Sequence, residues 1–149
     1  MLKDALKLKG RVGIVLKDKD GNIKETRDID NLVVDAGLDY IASRMKDATA
    51  TAMSHMALGS DNTAAAAGNT DLGSILGSRE ALDSTTVTDN TVQYIASFEA
   101  GDATGAVVEA GIFNAASAGT MLCRTVFAVV NKQADDTMTV TWTITISAS

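Results

Sequence analysis

Glu109, Cys123 and Arg124 stand in one stretch of the chain, EAGIFNAASAGTMLCRTVF (Glu109 to Phe127). A carboxylate, a thiol and a guanidinium are groups that acid–base and nucleophilic catalysis use. The same stretch carries strand-forming residues on both sides of the small-residue run NAASAG, the pattern of a hairpin. A cysteine nucleophile needs a base and an electropositive, partly exposed setting. Strand alternation sends Arg124 to the face opposite Cys123, so Cys123 reads as a buried small hydrophobe. Glu109, near a strand start, lacks a second carboxylate for paired acid–base work, because Asp102, Asp135 and Asp136 lie in segments that read as solvated turns.

His55 is the only histidine, so one chain cannot build a histidine-based metal cluster. With Ser54 beside it and Met53 and Met56 near, it reads as a packed strand residue. DKDGN, at Asp18 to Asn22, has the look of a calcium loop, but Ile29 occupies the twelfth position, where a carboxylate is needed. GSDNTAAAAG lacks the lysine and the strand-to-helix context of a phosphate loop. The expectation is a chain with no catalytic, cofactor-binding or metal-binding residues, in which the opening stretch is a hairpin.

The elements that would position these groups are mostly strands. RVGIVLK alternates, with Val12, Ile14 and Leu16 on one face and Arg11, Val15 and Lys17 on the other. DKDGN turns the chain, and Ile23 to Asp30 returns as the second strand. NLVVDAGLDYIASRM reads as a helix of about three turns, with Asp35 as N-cap and Leu38, Ile41, Ala42 and Met45 as its apolar stripe. His55 to Leu58 is a short strand. Asp61–Ser78, rich in Gly, Ala, Ser, Thr and Asn, reads as a long surface loop that contacts a neighbouring subunit. Strands follow over Arg79–Thr88, Thr91–Phe98, Val107–Phe113 and Thr120–Val130. In the closing strand TMTVTWTITIS, Met138, Val140, Trp142, Ile144 and Ile146 point inward and five threonines outward. Met121 to Val130 is apolar on both faces apart from Arg124, as a central or interface strand would be. Such spacing predicts a mainly β fold: an antiparallel β-sandwich or jelly-roll-like domain over 11–149, with one short helix, an N-terminal hairpin and an arm over 1–10.

With 149 residues the chain suits one domain. Its 17 threonines fit the wet face of a sheet, where the methyl packs and the hydroxyl is solvated. The net charge of −6 speaks against a nucleic-acid binder, which needs clustered Lys and Arg. Charge is uneven: residues 1–17 hold Lys3, Lys7, Lys9, Arg11 and Lys17 against Asp4, a net +4, while the remainder carries 8 basic and 18 acidic residues, a net −10. Lys3, Lys7, Lys9 and Arg11 are therefore the candidate partner-binding residues, an arm suited to a different, acidic surface. No run approaches the roughly 18 apolar residues of a membrane span. MLKDALKLKG has no apolar core of signal-peptide length, and a single cysteine makes no disulfide framework. The expectation is a soluble protein made in a cytoplasm, with no membrane contact.

NLVVDAGLDYIASRM, HMALGSDNTAAAAGNTDLGSIL, EAGIFNAASAGTMLCRTVF and DDTMTVTWTITI together resemble structural proteins of tailed-bacteriophage virions. The pattern there is a VxxAG helix, a GxGxTxAxxxDTxLG-like loop, an EAGxFN…GTMLxRxxF hairpin and a closing LTVTWTI strand. The chain departs from it in the loop, with LGSDNT in place of two close glycines. The resemblance runs from Asn31 to Ile146 and includes no catalytic signature; in such proteins these residues hold the fold. It implies a non-enzymatic virion protein without cofactors, assembled in the host cytoplasm. One place for it is a capsid decoration (cement) protein, a compact homotrimer on the outside of the head that binds the major capsid protein. The other is a tail-fibre, baseplate or tail-tip component. A short chain without fibre repeats or a receptor-binding extension favours the first. A third class is an enzyme or ligand module whose site forms between subunits, with several His55 side chains meeting on a symmetry axis.

Overall fold

Alternation in LKLKGRVGIVLK and TMTVTWTITISA builds the longest ladder of the molecule. In the computed structural model, which describes residues 5–46 and 50–148, β1 (Leu6–Lys17) lies antiparallel between β2 (Ile23–Val33) and β9 (Thr137–Ala148). The β1–β2 turn is set by Asp18, whose carboxylate accepts the Asp20 and Asn22 N–H groups at 2.9 Å each. Gly21 supplies the positive φ of 83° that this turn requires.

The other strands are β3 (His55–Gly59), β4 (Glu80–Ala81), β5 (Ser84–Thr88), β6 (Thr91–Phe98), β7 (Gly105–Phe113) and β8 (Met121–Lys132). Among the described residues, nine strands form one antiparallel sheet in the order β4-β3-β7-β8-β2-β1-β9-β6-β5, with α1 (Asp35–Arg44) as the helix. The fold is mainly β, as the alternation predicts. One core cluster draws Val12, Trp142 and Phe98 from one half of the order and Leu58, Ile112 and Leu122 from the other, so the sheet curls until its halves face each other. β2 joins β8 only at Leu32–Arg124 and Val33–Cys123. Across the inner face, Val12, Trp142 and Tyr94 are cross-strand neighbours, and so are Leu16, Met138 and Phe98.

Two boundaries differ from the expectation. β1 starts at Leu6, and Leu6 to Gly10 pair with Ala148 to Ile144, so the division between an arm over 1–10 and a domain from Arg11 falls inside a strand. The apolar partners of Leu8 sit on β9, more than a hundred positions away, which no local pattern displays. The helix is rotated as well. Val34, not Asp35, is the N-cap, and its buried residue is Gly37. A Cβ on Gly37 would stand 2.1 Å from the Leu122 carbonyl oxygen, so the glycine lets the helix lie against β8. Tyr40 and Ile41 then pack on the core, while Leu38 and Met45 of the expected stripe are 43% and 82% exposed.

Candidate functional site

The opening hairpin is real, and its two charged residues meet inside it. Glu109, in the middle of β7 rather than near its start, is opposite Val126, and Arg124 on β8 is opposite Gly111, so the two are diagonal neighbours on one face. Glu109 is 0% and Arg124 2% exposed, and Arg124 Nε donates to Glu109 Oε1 at 3.1 Å.

The rest of both groups is spent on the loop between β3 and β4. Glu109 accepts N–H bonds from Asp61 (2.8 Å), Gly73 (2.9 Å) and Ser74 (2.9 Å). Arg124 donates to the carbonyls of Thr63 (3.0 Å) and Asp61 (3.4 Å) and to Asn69 Oδ1 (3.2 Å). Gly59 makes room, since a Cβ there would fall 2.6 Å from Glu109 Oε2. Asp61 takes part through its own turn: the Thr63 N–H donates to its carboxylate at 2.9 Å and holds its carboxyl below the usual range. Buried charges persist only when paired and hydrogen-bonded. Here the loop backbone is the partner, so the 61–74 segment is a surface loop, as expected, with most of its residues exposed, but one tied down onto the β7–β8 hairpin.

A second arginine finishes the hairpin. The Arg79 guanidinium stacks 3.6 Å from the Phe113 ring centroid and donates to the carbonyls of Ala115 (2.9 Å) and Ala118 (2.8 Å). It thereby ties the NAASAG turn, where Ala118 and Gly119 take φ of 52° and 67°, to the β3–β4 connection.

Cys123 is fully buried, and burial pushes its thiol well above the ordinary value. The folded protein is expected to leave Cys123 unalkylated by iodoacetamide, with labelling appearing only as the chain unfolds. Labelling at the rate of an exposed thiol would show that β8 opens. The half-buried His55 stands on β3, its Nδ1 2.8 Å from the Ser54 hydroxyl. Among the described residues, no group of three or more His, Cys, Asp and Glu is placed to hold a metal ion, and no helix is long and apolar enough to cross a membrane.

Asp136 corrects a sequence expectation. It is 3% exposed, not solvated: Lys24 Nζ lies 2.7 Å from its Oδ2, the Gln133 N–H donates to the same oxygen at 2.8 Å, and the Lys24 bond holds its carboxyl low. Asp102 is half-buried and Asp135 exposed. Lys132, 1% exposed, donates to the Glu99 carbonyl at 2.9 Å.

Of the candidate partner-binding residues, Lys7 and Lys9 are exposed on the outer face of β1. Arg11 is exposed too, but Asp28 receives its Nε and Nη2 at 2.6 and 2.8 Å, and Asp30 lies 3.3 Å from Nη1. That offsets its charge within the chain and holds the Asp28 carboxyl below its usual range. Lys3 lies outside the described residues. Comparison of the chain with protein-family models, curated proteins and solved structures finds no match.

Proposed function

We propose that this is a non-enzymatic virion structural protein, a decoration (cement) protein that binds the outer surface of a phage capsid. In this proposal the curled sheet is its sandwich-like body, and it works as a homo-oligomer. The observation that carries the proposal is the convergence of the four motifs on one unit. The helix of NLVVDAGLDYIASRM lies against β8, the β3–β4 loop of HMALGSDNTAAAAGNTDLGSIL closes on Glu109 and Arg124 of the EAGIFN…GTMLCRTVF hairpin, and TMTVTWTITI supplies the core face opposite. Motifs spent on loop closure and packing serve adhesion and assembly, where surface shape does the work.

Lys7 and Lys9 are the docking residues of this proposal. Attraction between these ammonium groups and an acidic shell speeds encounter and weakens with salt, the Debye length falling to roughly 3 Å at 1 M. Lys7→Gln with Lys9→Gln is therefore expected to slow attachment to particles lacking the protein at low salt and to change little at high salt. Gold-labelled antibody on virions in negative stain separates head from tail. Label on tails, or attachment unaffected by the two lysines at every salt concentration, would overturn the proposal.

A further inference from the structure

The sheet ends at β4 on one side and β5 on the other. β4 has two residues, too few to template another strand. β5, STTVT, has five residues, all exposed, with Val87 at 70%. Natural edge strands are usually defended by a lysine, a proline or a bulge. β5 has none of these. Along its inner face runs a groove of about 370 Å³ between the sheet and α1, lined by Val87, Val92, Tyr94, Ile146, Tyr40 and Ile41.

The start of β1 is a second open stretch of the same sheet. β1 pairs with β9 from Leu6 onward but with β2 only from Gly10, so among the described residues Leu6 to Lys9 have a strand on one side. Leu6 and Leu8 share the inner face with the buried Val12, and Lys7 and Lys9 the outer face. Leu6 is 73% exposed.

The two stretches are complementary. Directly opposed residues of an antiparallel pair share a face, so β1 of one copy laid on β5 of another sets Leu6 and Leu8 beside Thr85 and Val87, over the groove. Lys7 and Lys9 then lie on the side of Thr86. The exposed Asp83 and Asp89 bracket β5, so the arriving strand brings two ammonium groups to an edge flanked by two carboxylates. Pairing of β5 with itself about Thr86 would instead set Asp83 against Asp89 at both ends, which is destabilising. We infer that β5 receives the Leu6–Lys9 segment of a second copy of this chain as an added antiparallel strand, a head-to-tail contact. This rests on Lys7 and Lys9 being partner-binding, and it names a second copy as one partner they meet.

Sedimentation equilibrium of the purified full chain, with no virions present, tests it. The wild-type mass is expected to rise above 15.5 kDa with concentration. Thr86→Lys should weaken self-association and Thr86→Glu strengthen it, each by about threefold or more. In a Lys7→Glu/Lys9→Glu background that order should invert, with circular dichroism confirming that every variant is folded. A mass of 15.5 kDa at every concentration, or a shift of the same sign for both Thr86 variants, would sink the inference. A chain that self-associates in this way yet labels only tails would refute the capsid proposal and leave this contact standing.

Discussion

Replacing Arg124 with methionine is expected to destabilise the protein by about 3–5 kcal/mol, the range for removing one partner of a buried ion pair. Glu109 would keep its three backbone donors but lose its countercharge in a site with no exposure. The Thr63 and Asp61 carbonyls would lose their donor at the same time. For a chain of this length the loss corresponds to a melting-temperature drop of about 10 °C. Amide exchange at Asp61, Gly73 and Ser74 should accelerate more than exchange in β1, because their acceptor would be freed to move. Glu109→Gln combined with Arg124→Met should recover part of the loss, since no unpaired buried charge is left. A cost below about 1 kcal/mol for the single change would mean that the pair is exposed to water and does not clamp the loop.

Trp142→Ala should be about as damaging, costing about 3–5 kcal/mol. Trp142 is fully buried between its cross-strand neighbours Val12 and Tyr94. Thr141, one position away, looks outward beside Gly13 and Ile95 and is half-buried, so Thr141→Ala should cost well under 1 kcal/mol, as changes away from the core do. Urea denaturation of the two variants measures the contrast. Equal costs would mean that the threonine face is itself covered, by another subunit or by a shell. The indole N–H has no acceptor among the described residues, so Trp142→Phe should be much milder than Trp142→Ala.

What the residue order determined by itself was whatever repeats locally. Period-2 alternation in RVGIVLK and TMTVTWTITI set which side chains face the core, and Val12, Ile14, Leu16, Met138, Val140, Trp142 and Ile144 are all buried. DKDGN announced its turn, and NAASAG announced the hairpin. The helix was legible as a helix, but not its buried face: Leu38 and Met45 have the right spacing, yet Gly37 decides which side can approach β8. Tertiary structure alone decided the fate of the charges. Glu109 and Arg124 are brought together by the register of β7 on β8, and Asp136 is buried because Lys24, on a strand remote in sequence, reaches it. An isolated charge reads as solvent-facing, because desolvating it is costly. Whether that cost is offset depends on donors and countercharges that only the closed chain brings within 3 Å or so of each other, and in Glu109 those donors come from a loop 35 to 48 residues away. The start of β1 was hidden for the same reason. Leu6 to Lys9 form a strand because the far end of the chain lies beside them.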